Sequence, residues 1–259
     1  MAVPDRHPFG LAEDSMSSFA QYLRSRHDDL FQAFYQHPFL RSLADGTASR
    51  ESVLHYVGQD NQYLTAFMRC YGHGISMSPD REWVAWFRDS IDFLLNDETH
   101  PHHVMCEAFG ARYEDAQVER MAPSAQAYID HMTRSAHDSL GVLVAALLPC
   151  PWTYIWAAQR QLAEQPVPID GPFRGWWDFY ASEQSAGILD HFIARLDALA
   201  EQAGPAERER MARAFEDSCH HEIRFWEMAW TQETWQARWS SDGDQPAGAL
   251  EVEHDRAGG

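Results

Sequence analysis

Positive charge is scarce in this sequence. Twenty Lys and Arg stand against 39 Asp and Glu, for a formal net charge of −19 and an isoelectric point near 5.0. Such a surface repels both a nucleic-acid backbone and an anionic membrane, so neither is an expected partner; a small neutral or cationic ligand is the easier guest. The opening residues, MAVPDRHPFGLAEDSMSSF, lack the apolar run of a signal peptide, and no stretch reads as the roughly 18 uncharged apolar residues of a membrane span. The expected address is therefore cytoplasmic. Cys70, Cys106, Cys150 and Cys219 form no CxxC pair and no zinc-finger spacing, which predicts free thiols, any one of them open to question as a nucleophile. GxGxxG, P-loop and HExxH patterns are missing, and with them support for nucleotide binding or a zinc protease. Neither period-two strand alternation nor a repeat of about 20–50 residues is visible. What remains is one all-α domain of about eight helices.

Hydrophobic residues make up 45% of the chain and aromatics 13%, enough for a full core. Residues 1–14 read as a flexible leader, 15–240 as the helical domain and 241–259 as a disordered tail. From about Ser15 a helical stripe runs through Phe19, Tyr22, Leu23, Leu30, Phe31 and Phe34 and stops near His37-Pro38. FLRSLADG forms a short segment ending at Gly46, and Ser49 is a plausible N-cap for a long helix to Met77. A further helix spans Arg81 to about Asn96. Pro123 to Glu164 carries two helical runs, Trp176 to Ala203 another, and about Ala206 to Trp230 the last.

Three residues carry chemistry on otherwise apolar faces. Asp60 shares the core stripe of the Ser49–Met77 helix with Val53, Tyr56, Val57, Leu64 and Phe67, and Tyr63 lies one turn further along. An unpaired charge there costs several kcal/mol by rough transfer estimates, so Asp60 must be satisfied by neighbours or look into a polar cavity. Glu222 occupies the same kind of position among Phe215, Cys219, Phe225 and Trp226. Cys150 sits between Pro149 and Pro151 in the apolar run GVLVAALLPCPWTYIWAAQRQL, where the prolines must kink or restart the helix. If Pro151 opens the restarted helix, free amides and the helix dipole favour a thiolate at Cys150. Tyr154 lies one turn beyond, on the same face. His100, His102 and His103 invite a metal reading with Glu98 and Glu107, but Pro101 interrupts any shared helical face, and these histidines read as solvated.

These residues together resemble a known family. HPFLRSLADGTASRESVLHYVGQDNQYL is similar to the N-terminal signature of the TenA, or thiaminase II, family; ALLPCPWTYIWAAQ resembles its cysteine segment and HHEIRFWEMAW its closing Glu-containing helix. With PSAQAYIDHM and WWDFYASE, the likeness runs from about residue 15 to 235. It implies a haem-oxygenase-like helical fold, usually a homotetramer, with no haem, metal or other cofactor required. Residue by residue, it implies Cys150 as nucleophile, Glu222 as acid or base and Asp60 as the acid contacting an aminopyrimidine, with Tyr63, Tyr128, Tyr154 and Tyr180 lining the site. The implied reactions are hydrolysis of 4-amino-5-aminomethyl-2-methylpyrimidine to the hydroxymethylpyrimidine, a salvage step in thiamin metabolism, and cleavage of thiamin. After Tyr180 the sequence reads ASEQSAGIL where the family commonly has an aromatic, which predicts a wider pocket.

Two other function classes compete. A dinuclear iron oxidase on the same scaffold would use pairs such as Asp97 with His100 and Asp217 with His220, although no six-ligand pattern is present. A non-catalytic pyrimidine-binding protein would keep the pocket and lose the turnover.

Overall fold

A computed structural model describes residues 18–118 and 120–235. The leader and tail predicted at 1–14 and 241–259 lie outside the described residues. Among the described residues all regular structure is helical: twelve α-helices and one 3-10 turn, without a strand. The number exceeds eight because several runs are broken by one or two residues. His27 divides the first run into α1 (Phe19–Arg26) and α2 (Asp28–Gln36), and Ala181-Ser182 separates α10 (Arg174–Tyr180) from α11 (Glu183–Gln202).

Caps and prolines set the other boundaries. His37 accepts the Phe39 amide at 3.2 Å and starts α3 (Pro38–Asp45), which ends at Gly46 with φ of +73°, a conformation that favours glycine. Ser49 accepts the Ser52 amide at 3.1 Å and starts α4 (Arg50–Met77). Asp80 takes the Glu82 and Trp83 amides at 2.9 and 3.0 Å to begin α5 (Arg81–Asn96). Pro101 opens α6 (His100–Glu107) instead of interrupting it, because a first-turn proline forfeits no helical hydrogen bond. A 3-10 turn at Tyr113–Ala116 follows, then α7 (Pro123–Ser135), α8 (Leu140–Leu147), α9 (Pro149–Glu164), α10, α11 and α12 (Pro205–Thr231).

The core is organised on α12, which packs against α2, α3, α4, α7, α8 and α9. Trp226 of α12 stands at its centre, with the rings of Phe34, Phe39, Tyr56 and Tyr154 at 4.9 to 5.3 Å between centroids. Truncating an aromatic so buried costs about 3–5 kcal/mol. The stretch Leu140–Glu164 proves apolar enough by length and hydropathy to pass for a membrane span, contrary to expectation, yet 78% of its most apolar window is packed inside the protein. It belongs to the core as the helices α8 and α9, and α12 and α11 supply their cover.

Gly58 matters for the site, because α4 there lies directly under the 3-10 turn. A Cβ at this position would run into the Ala116 carbonyl oxygen and the Val118 side chain. The turn presents Tyr113, which donates to Asn61 on α4 at 2.5 Å and stacks on His102 at 5.7 Å. Gly58→Ala is expected to lower stability by roughly 1–3 kcal/mol through overpacking, read as a drop in the denaturant midpoint with an unchanged slope.

Candidate active site

The chemistry-bearing side chains come from α4, α6, α7, α9, α10 and α12, and they meet. Asp60, 5% exposed, is satisfied by two donors: the Tyr56 hydroxyl at 2.9 Å, one turn back on α4, and His102 Nε2 at 2.7 Å from α6. Tyr63 is not its partner, despite its position on the helix. The Tyr63 ring turns instead toward Tyr128 and Phe225, at 4.9 and 5.3 Å, and its hydroxyl stands beside the Cys150 thiol and the Tyr128 hydroxyl without a complete hydrogen bond to either. Glu222, 2% exposed, accepts the Tyr128 hydroxyl at 2.6 Å. Tyr154 joins the two halves, with its hydroxyl 3.3 Å from that of Tyr56 and its ring 5.1 Å from that of Tyr180.

Cys150 lies in the first turn of α9, but the helix restarts at Pro149 and not at Pro151. Few amides are left free there. Both prolines lack an N–H, and the Trp152 amide bonds Leu148 at 3.2 Å. On the other side of the break, Ser218 of α12 donates its hydroxyl to the Ala146 carbonyl at 2.7 Å and lies 2.9 Å from His131 Nε2. The kink is thus tied to α7 and α12.

A cavity of about 550 Å³ opens onto Cys150. Its inner wall includes Phe67, Tyr71, Ile155, Tyr180 and Glu98, and it runs outward past Asp97, Asp92 and Asp89. Gln184, Ser185 and Ile188, from the segment after Tyr180, line it as well. Asp60, Tyr63, Tyr128, Tyr154 and Glu222 do not line it and are buried.

Three participants are absent from the catalytic and substrate-lining residues expected from sequence, which places Tyr56 in the core stripe and His102 and Glu98 in a solvated segment. Tyr56 is hidden by looking like an ordinary core residue, though its i−4 spacing to Asp60 was a usable signal. His102 is 1% exposed and bound to Asp60, so it is not one of a solvated cluster. Glu98, just beyond α5, accepts the Tyr180 hydroxyl at 3.3 Å and faces the cavity. Among the described residues, no three His, Cys, Asp or Glu side chains are grouped to hold a metal ion.

A family model described as TENA/THI-4/PQQC matches residues 24–232. The chain belongs to the TENA/THI-4/PQQC family. It is 30% identical over 224 residues to the aminopyrimidine aminohydrolase of Staphylococcus carnosus strain TM300, a match covering 85% of this chain and 97% of that protein. The aminopyrimidine aminohydrolase of Staphylococcus aureus strain USA300 is 28% identical over 221 residues, covering 84% and 96%. Among solved structures, a TenA homologue from P. horikoshii OT3 superposes with a TM-score of 0.73 at 24% identity, over 83% of this chain and 99% of that one. A protein described as a TenA family transcription regulator, from Silicibacter sp. TM1040, gives the same score and identity over 83% and 97%. The fold is the helical haem-oxygenase-like one.

Electrostatically, this TENA-family site stores protons. Burial pushes the Cys150 thiol well above its ordinary range, and the negative charges of Glu222, Glu98 and Asp60 push it further, so the resting group is a thiol. That overturns the expectation of a thiolate: apolar surroundings and three acids outweigh the end of a helix whose prolines remove its donors. Burial likewise raises Glu222 and Glu98 to about 8 each, and Tyr63, Tyr128, Tyr154 and Tyr180 are raised well above the usual phenol range. His221, stacked on Tyr128 at 5.0 Å, is lowered to about 4 by burial and by neighbouring His131.

Glu222 titrates near 4.5 when unfolded and about 8 when folded, so between these values the native state binds the extra proton. Its contribution to stability is present below about pH 4.5 and is lost as pH rises toward 8. Glu222→Gln is therefore expected to flatten the fall of Tm between about pH 5 and pH 8, measured by calorimetry against wild type, while Glu98 leaves part of the slope in place. Parallel curves for the two proteins would contradict this.

Proposed function

We propose that this protein is a hydrolase of aminopyrimidines, converting 4-amino-5-aminomethyl-2-methylpyrimidine and water to 4-amino-5-hydroxymethyl-2-methylpyrimidine and ammonia, with thiamin as a second substrate and thiamin salvage or degradation as its setting. The observation that carries the reading is one thiol, Cys150, at a cavity wall that two buried carboxyl groups back from separate helices. The names of the staphylococcal relatives support it over nearly their whole length.

Each group has a task. The Cys150 thiol adds across a ring carbon–nitrogen bond, sulfur to carbon and proton to nitrogen, with Glu222 relaying that proton. A group near its own half-titration at about 8 suits a two-way transfer at physiological pH. Asp60, held by Tyr56 and His102, accepts from the 4-amino group, on which positive charge develops as the exocyclic bond breaks. Tyr63, Tyr128, Tyr154 and Tyr180 pack the flat ring. To reach both carboxyl groups the ring must part these buried side chains, and the resulting loss of water strengthens every charge interaction there. The chemistry asks for no cofactor.

The protein works as a homo-oligomer, a tetramer on the resemblance, and in the cytoplasm, where its thiols stay reduced. Val84 and Leu95, 38% and 56% exposed, are large apolar residues on the outside of α5 and suit a subunit contact. Sedimentation equilibrium is expected to give about four times the 29.7 kDa chain mass; a monomer at micromolar concentration would refute this.

Cys150→Ala is expected to lower ammonia release from the aminomethylpyrimidine by on the order of 10³-fold or more with unchanged circular dichroism, and Glu222→Gln to lose a comparable factor because the two act as one unit. A fully active alanine variant would end the nucleophile assignment. Wild-type protein that binds the pyrimidine and releases no ammonia would be a carrier.

A further inference from the structure

Hydrolysis at an exocyclic methylene needs proton handling at two places. One is the ring nitrogen. The other is the site where ammonia leaves and water arrives, on the open side of the methylene carbon. Asp60 is committed to Tyr56 and His102, and Glu222 to Tyr128, and neither lines the cavity. Glu98 is placed differently. Its carboxyl group lines the cavity together with Cys150, and the Tyr180 hydroxyl fixes one of its oxygens at 3.3 Å. Chain geometry holds it there: α5 ends at Asn96, the Glu98 amide bonds the Phe93 carbonyl at 3.2 Å, and α6 begins at His100. From Glu98 outward the cavity passes Asp97, Asp92 and Asp89, and its one arginine, Arg195, is paired with Glu82 at 2.8 Å. That path suits an ammonium ion, both entering on the substrate and leaving as product.

We propose that Glu98 is a third catalytic carboxyl group, which pairs with the substrate's aminomethyl ammonium and then takes the proton of the attacking water, with Tyr180 as the residue that positions it. The proposal rests on the aminopyrimidine hydrolase reading. After sulfur has bonded to the ring carbon and its proton to the ring nitrogen, the exocyclic carbon–nitrogen bond breaks and its electron pair leaves with ammonia. The 4-amino lone pair feeds the new methylene double bond. Water oxygen then bonds to the methylene carbon, its proton passes to Glu98, and the electron pair returns to the ring. Sulfur departs with its bonding pair and regains the proton from the ring nitrogen. Glu98 gives its proton to ammonia, which leaves as ammonium. A carboxyl group raised to about 8 holds that proton at neutral pH until ammonia, the stronger base, takes it.

The test uses full-length wild type, Glu98→Gln and Glu98→Ala with the aminomethylpyrimidine, in buffer with and without sodium azide. Glu98→Gln retains an acceptor oxygen for Tyr180 and is expected to lose on the order of 100-fold in kcat, the contribution of one general base. In Glu98→Ala, azide, an anion that needs no deprotonation, is expected to restore turnover and yield the azidomethylpyrimidine by mass spectrometry. A merely structural role would not produce that compound. If wild type is active and Glu98→Gln stays within about threefold of it, the Glu98 assignment falls and the hydrolase reading stands. Loss of rate without azide capture in either folded variant also overturns it. Inactive wild type would remove the hydrolase reading itself, and the proposal with it.

Discussion

A carboxyl group in the core must be given donors, and much of this structure follows from supplying them to Asp60. One donor is local, Tyr56 on the preceding turn of α4. The other, His102, has to be delivered from α6, at the far side of the loop that follows α5. Tyr113 covers the imidazole face, and the 3-10 turn carrying Tyr113 can approach α4 only because residue 58 is glycine. Replacing such a buried pair with apolar side chains often costs little, whereas removing one member leaves the other stranded and costs about 3–5 kcal/mol. An arrangement that needs a glycine, a proline-started helix and an aromatic lid to hold one acid is better explained by what the acid does than by what it adds to stability.

The aromatic core performs two tasks with one set of rings. Tyr56 and Tyr154 pack on Trp226 at the centre of the bundle, yet their hydroxyls meet each other at 3.3 Å beside Asp60. Tyr128 packs on Tyr63 while donating to Glu222. The site is therefore the polar edge of the hydrophobic core and inherits the rigidity of its packing. The break at Pro149 is handled the same way, with Ser218 of the central helix meeting a carbonyl that the kink leaves free.

Helices whose ends carry their own chemistry are the part legible in sequence. α4 starts at Ser49 because a hydroxyl caps it, and α5 runs from Arg81 to Asn96 as its stripe indicates, since Asp80 caps one end and its apolar face persists to the other. Asp60 and Glu222 are equally legible, as charges at intervals where only apolar residues belong. Legibility fails where contacts are distant in sequence. Nothing local says that His102 belongs to Asp60, 42 residues away, or that Tyr63 turns from its helical neighbour toward α7. Glu98 hides in a charged, proline-containing stretch that reads as surface, and only the folded chain turns it toward a cavity. The state of Cys150 is misjudged for a related reason: a helix terminus is visible in sequence, while the low dielectric and the acids facing it from α4, α12 and the α5–α6 segment are not.

Burial and those acids explain why Cys150 rests as a thiol. Burial alone disfavours a thiolate at Cys150, and each of Glu222, Glu98 and Asp60 that carries its charge makes one costlier still. A substrate bearing an ammonium group, with a ring nitrogen able to accept a proton, reverses that balance: each positive charge brought in stabilises the charged forms of both carboxyl groups and of the sulfur. Proton release at the site is then coupled to arrival of the right kind of molecule. A neutral ring without a basic substituent would bring no such charge and would leave the thiol protonated.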